Sequence, residues 1–210
     1  DSTNPIVEVH IQEGVTRIAP TAFRDCSELR VISIPGTIKS IGASAFEGCS
    51  RLETISLPNG LKEIESYAFE GCSSLKEIVI PYGVTTIDAS LFIHCSSLER
   101  VVLPESITTI SSWAFGYCEN LSNISIPTSV TTIEDQVFWG CTKLSKVVLP
   151  AGITKIADGT FGYCEGLEQI TLPSGLVSIG KSAFTNCISL YSIEIPASVQ
   201  EIKDGAFFEC

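Results

Sequence analysis

The stretch Cys72–His94 reads Cys-Ser-Ser-Leu-Lys-Glu-Ile-Val-Ile-Pro-Tyr-Gly-Val-Thr-Thr-Ile-Asp-Ala-Ser-Leu-Phe-Ile-His, and at Cys95 the pattern starts again. Every cysteine marks the same point of this cycle: Cys26, Cys49, Cys72, Cys95, Cys118, Cys141, Cys164, Cys187 and Cys210. Successive cysteines are 23 positions apart. A fixed period of this size is the signature of stacked repeats. Phased to end at Cys, the chain holds nine copies, from Asn4–Cys26 to Ile188–Cys210. We read them as a single domain spanning 4–210, with no second domain.

Within each copy the apolar positions recur in order. A Leu (Leu29, Leu52, Leu75 and onward) is followed three residues later by Ile or Val, then two later by Ile or Leu, then by Pro. The Ile-x-Ile step alternates as a strand with one face buried. Pro lacks an N–H and ends ladder pairing there. Next come a Val, Ile or Leu and an Ile three apart, such as Val84 and Ile87, and last a Phe three before Cys. Phe and Cys at i and i+3 share a face of a helix. The residues before each Cys therefore predict one or two helical turns, with Glu65, Asp88 or Ser111 as N-caps. One copy cannot bury its own apolar face and needs neighbours above and below. The expected architecture is an α/β repeat solenoid, with a parallel β-sheet on the concave side and short helical turns opposite.

Composition agrees. The chain is 44% hydrophobic and 18% charged, which is a globular balance. A net charge of −11 argues against nucleic acid or an anionic membrane surface as partner. No apolar run approaches the roughly 18 residues of a membrane span. The chain contains no Met, so a processed chain or a piece of a longer one is expected. It stops at Cys210 in mid-rhythm with Phe207 and Phe208 beside it. The expectation is that the parent chain continues, or that this uncapped end associates with another copy.

The repeat Leu-x-x-Ile-x-Ile-Pro-x-x-Val-x-x-Ile-x-x-x-Ala-Phe-x-x-Cys resembles the BspA-like, treponemal-type leucine-rich repeat over essentially the whole chain. The first copy departs, with Ile6 in place of Leu and Gln12 in place of Pro. Leu91, Val137 and Thr160 replace the Ala before Phe. The resemblance implies a horseshoe-like leucine-rich-repeat solenoid on a secreted or cell-surface protein. It also implies adhesion to a host matrix or surface protein.

Residues that carry chemistry are scarce. There is no Gly-x-Ser-x-Gly, Walker loop, His-Glu-x-x-His or Gly-x-Gly-x-x-Gly. With no Cys-x-x-Cys and only two His, a zinc site is not expected. Stacked copies hold equivalent cysteines with parallel directions, so reduced, buried thiols acting as small apolar residues are expected. The reading is therefore a non-catalytic binding module without cofactor. The alternative is a passive spacer displaying another part of a longer chain.

Binding residues are sought where the pattern refuses to repeat. One outward strand column carries Arg100, Asn123, Lys146 and Gln169. A second group, Trp113, Tyr117, Trp139 and Tyr163, falls in three consecutive copies. Tyr and Trp are enriched at interface hot spots, and these suit a protein partner or a glycan.

Overall fold

A computed structural model describes residues 5–210; Asn4, where the first copy begins, lies outside the described residues. The chain winds into stacked coils, each in register with the coil 23 residues on. All strand pairing is parallel.

The Ile-x-Ile segments form the first ladder. Glu8–His10 pairs with Val31–Ser33, Glu77–Val79 with Arg100–Val102, and Lys146–Val148 with Gln169–Thr171. Thr54 and Asn123 join it through single bridges to Glu77 and Lys146. The coils containing Thr54-Ile55-Ser56 and Asn123-Ile124-Ser125 are reduced to these bridges. In the full strands the middle residue points inward, as Ile32, Ile78, Val101 and Val147 do. After each Pro the chain turns, and the Pro carbonyl accepts from the N–H three residues on, as in Val130 to Pro127 (3.1 Å).

Two-residue strands then build a second ladder. Its segments are Arg17–Ile18 with Ser40–Ile41 and Glu63–Ile64, then Thr86–Ile87 with Thr109–Ile110 and Thr132–Ile133, then Lys155–Ile156 with Ser178–Ile179 and Glu201–Ile202.

The third side corrects the sequence reading. The predicted helical turns are absent: the described residues contain no helix. From Trp113 to Cys118 the N–H groups alternate in direction. Trp113, Phe115 and Tyr117 donate to Asp135, Val137 and Trp139 of the next coil (3.2, 3.0 and 2.7 Å). Ala114, Gly116 and Cys118 donate three residues back, to Ser111, Trp113 and Phe115 (3.2, 2.9 and 3.2 Å). A helix would keep every N–H within the coil. Sending alternate donors to the neighbour satisfies the backbone and joins the coils at once. The anticipated cap Glu65 also reaches across coils: its Oε2 accepts from Ala43 N (2.9 Å), as Glu134 Oε2 does from Ser112 N (2.9 Å).

The interior is one continuous cluster running from Ile18 to Ala206. Its axis is a column of nine phenylalanines, Phe23 to Phe207, with neighbouring ring centroids 5.2–5.7 Å apart and planes within 12°. Offset-stacked rings at this spacing contribute about 0.5–1.5 kcal/mol per pair beyond the area they bury.

Beside the rings runs the thiol column. Cys49 through Cys187 are buried and all nine cysteines are free. They are more than small apolar residues. Each thiol from Cys49 onward donates to the carbonyl of the Phe 26 residues earlier, at 3.0–3.2 Å. That carbonyl already accepts from its own coil's Cys N–H, so the S–H fills its second lone pair. Burial pushes the Cys49, Cys141 and Cys187 thiols up to about 12. Since the thiolate is the reactive form, iodoacetamide at neutral pH is expected to spare Cys49 through Cys187 in the folded chain. The half-buried Cys26 and the exposed Cys210 should react first. Mass spectrometry before and after unfolding checks this.

Asp88 shows what the column arrangement costs. It sits one coil above Glu65 and one below Ser111. Burial, then the charges of Glu63, Glu65 and Glu134, raises its carboxyl pKa. A carboxyl raised in the fold penalises the charged form. The fold gains when Asp88 is protonated and loses that gain as pH rises through the raised value. Asp88→Ser, matching Ser111, is therefore expected to raise the melting temperature at pH 7. The advantage should shrink as pH falls through the carboxyl's titration. A thermal melt series on both proteins measures it.

Candidate functional site

The structure divides the sequence candidates into two groups on different sides of the coil. On the first ladder, Asn123 bridges to Lys146, and Lys146 is the register partner of Gln169. These three are exposed neighbours. Asn123, Lys146 and Val148 line a shallow groove of about 570 Å³ with Pro150 and Ala151 beneath. Arg100 stands apart from them. It pairs in register with Glu77, and its guanidinium is bound to the Glu77 carboxylate. An exposed pair of this kind contributes about 0–1 kcal/mol. It leaves Arg100 half-neutralised as a contact residue.

The aromatic group is brought together on the third side. Trp113 stacks on Tyr117 (6.0 Å, 17°) and meets Trp139 (6.0 Å, 54°), and Trp139 meets Tyr163 (5.0 Å, 51°). The structure adds a member that sequence reasoning passed over: exposed His94 stacks on Tyr117 (4.8 Å, 9°). The signal for it was its position, directly before Cys like Tyr117 and Tyr163. The result is one ridge of five aromatic side chains spread over four coils.

The ridge is seated on glycine. A Cβ on Gly140 would stand 2.7 Å from Tyr117 Cδ1, and one on Gly162 would stand 2.4 Å from Trp139 Cε3 and Cζ3. Trp113 lies likewise against Gly116, where a Cβ would meet its Cε3 at 2.8 Å. The rings lie close against backbone that carries no Cβ. They are half-buried at Trp113, Tyr117 and Trp139.

The backbone under the ridge is strained. Trp113, Tyr117, Tyr163 and His94 adopt left-handed conformations, with φ of 61°, 57°, 56° and 62°. The same two columns hold Gly48, Gly71, Gly140, Gly159 and Gly205 in other coils, also at positive φ. A side chain in this region costs roughly 1–2 kcal/mol relative to the right-handed one. The alternating ladder imposes the conformation, and glycine is the low-energy answer to it. Thirteen residues other than glycine take this conformation in the same two columns, Thr21, Asp25, Ser90 and Gln136 among them, so it belongs to the ladder as a whole and does not by itself mark the ridge.

Among the described residues no group of three or more His, Cys, Asp or Glu is arranged to hold a metal ion. Among the described residues no helix is long and apolar enough to cross a membrane.

Comparison with known proteins places the chain among bacterial leucine-rich-repeat structures. It is 28% identical to a leucine-rich repeat protein from Bacteroides ovatus, with a TM-score of 0.67, covering 98% of this chain and 76% of that one. It is 30% identical to the T. pallidum leucine rich repeat protein (TM-score 0.61; 89% and 79% covered). A leucine rich cell surface protein from Faecalibacterium prausnitzii is 26% identical (TM-score 0.63; 98% and 80% covered). No curated protein matches the chain. The family model for the BspA type leucine rich repeat region matches residues 1–121 and 85–210, which together span the whole sequence. The parallel coils, the Phe and Cys columns and this match agree: the chain belongs to the BspA-type leucine-rich-repeat family.

Proposed function

We propose that 4–210 is one non-catalytic protein-binding domain acting in adhesion at a cell surface, and that it binds through the aromatic ridge from His94 to Tyr163. The observation that carries this reading is the ridge's construction: five aromatic side chains contiguous over four coils, with Trp113, Tyr117 and Trp139 seated on glycines of their own or the next coil. Rings held in this way lose little freedom on binding, which lowers the ordering cost of association. Tyr and Trp are the residues that most often anchor interfaces. The polar strip of Asn123, Lys146 and Gln169 on the first ladder is proposed as a secondary contact surface, not the anchor. The name of the Faecalibacterium relative, a cell surface protein, supports the location. The inert thiols and the carboxylates engaged on backbone N–H groups support a role without catalysis.

The test replaces Trp113, Tyr117 and Trp139 together by Ser. Binding to immobilised matrix and serum proteins is compared with that of the parent chain, and circular dichroism checks the fold. The expected result is a loss of at least about tenfold in affinity with the coil structure intact, since an interface anchor typically contributes 2 kcal/mol or more. Unchanged binding in the folded variant removes the ridge from consideration. The companion triple variant Asn123→Ala, Lys146→Ala, Gln169→Ala should shift affinity far less.

A further inference from the structure

We propose that the groove between Tyr117 and Tyr163 is a receptor for arginine side chains, two at a time, on an extended basic segment of the partner protein. This rests on the reading of the ridge as a contact surface and names the chemistry it recognises.

The groove has a repeated plan. Tyr117-Cys118-Glu119 and Tyr163-Cys164-Glu165 lie two coils apart, and the coil between them carries Gly140-Cys141-Thr142. The cysteines point into the core, so each side of the groove presents one phenol ring and one carboxylate. Gly140 keeps the middle low, and Trp139 lies between the two sides. The open groove holds about 390 Å³, enough for side chains.

Charge selects the occupant. Glu119 and Glu165 are exposed, and neither takes part in an ion pair among the described residues. The nearby ammonium of Lys143 is turned away, donating to Asn120 Oδ1 at 2.6 Å. Two unpaired carboxylates therefore stand beside the partly exposed Tyr117 and Tyr163 rings, whose π-clouds also attract cations. A guanidinium suits both features: it is planar, weakly hydrated, stacks on rings and donates a fork to a carboxylate. A neutral sugar would use the rings but leave both charges unanswered. The chain's net charge of −11 adds long-range attraction for a basic partner.

The spacing sets the sequence of the ligand. Coils about 4.8 Å apart place the two Tyr-x-Glu sides roughly 10 Å from each other. An extended polyproline II segment advances about 3.1 Å per residue with three residues per turn. Residues i and i+3 then share a face roughly 9 Å apart. The geometry points to Arg-x-x-Arg.

The probe is acetyl-Pro-Arg-Pro-Pro-Arg-Pro-amide, titrated into the chain at low salt and followed by tryptophan fluorescence and calorimetry. The expected result is saturable binding that weakens at least about tenfold in the Glu119→Gln, Glu165→Gln double variant. It should also weaken with lysine in place of arginine and disappear with citrulline, its neutral isostere. Equal binding of the double variant or of the citrulline peptide overturns the proposal. So does tryptophan quenching by a neutral hexose oligomer with none by the peptide. If the peptide fails while the Trp113, Tyr117, Trp139 triple variant still loses its whole-protein partners, the arginine inference falls and the ridge reading stands. If the peptide binds as described but the triple variant keeps those partners, the groove takes arginine, but the ridge reading falls and with it the groove's role in holding a partner protein.

Discussion

Phe115→Ala is expected to cost about 3–5 kcal/mol, the range for emptying a buried Phe site, and to break the chain's unfolding into two steps. Phe115 is fully buried in the fifth of nine copies, with rings 5.6 Å away on both sides, Phe92 and Phe138. Stability in a stacked array is close to a sum of coil and nearest-neighbour terms. Removing the middle ring weakens two interfaces together and leaves intact arrays on either side. Calorimetry should therefore show two transitions where the parent shows one. Phe207→Ala is the control, because its ring has a single neighbour in this chain, Phe184 at 5.2 Å. It should cost about half as much and leave one transition. Equal costs at the two positions would contradict the nearest-neighbour picture.

The second large effect is expected from one methyl group. Gly162→Ala places a Cβ 2.4 Å from two ring carbons of Trp139, a distance that real atoms do not sustain. Either the ring leaves its seat or the coil absorbs an overpacking cost of about 1–3 kcal/mol. Trp139 is half-buried, so the ring has room to swing outward. Displacement separates it from Tyr163 and Trp113 and divides the ridge in the middle. The readouts are a red-shifted tryptophan emission and partner affinity reduced toward that of the Trp113, Tyr117, Trp139 triple variant. Gly175→Ala is the matched control, since its Cβ would meet nothing within 4 Å. An unshifted spectrum in Gly162→Ala would show that the seat does not hold the ring.

The core was legible because burial repeats with the sequence. Leu, Ile, Phe and Cys recur at fixed positions, and all of those columns point inward. The third side was misread for a definite reason. Phe and Cys three apart fit a helical turn equally well as the alternating ladder. Only the direction of the N–H groups distinguishes them, and that depends on the neighbouring coil. Glycine was the available clue: Gly48, Gly71 and Gly140 share one column, Gly159 and Gly205 another, and all five have positive φ. Two columns four residues apart that both take positive φ are incompatible with a regular helix. The candidate residues divided similarly. The aromatics were recognisable by their clustering in consecutive copies, whereas His94 is a lone residue whose stacking on Tyr117 depends on coil spacing. The pairing of Arg100 with Glu77 is visible only once register is known.

The seats of Tyr117 and Trp139 are Gly140 and Gly162, each 23 positions on in the sequence. The interior is inherited one coil at a time, because any coil offers its neighbours the same Phe, Leu and Cys. The ridge is inherited two coils at a time, ring on one and glycine on the next. Duplication or loss of a single coil would extend or shorten the core without penalty, yet would separate a ring from its seat wherever the cut fell between them. Gene rearrangement in such a chain would therefore preserve folding far more readily than recognition, and new surfaces would spread as coil pairs.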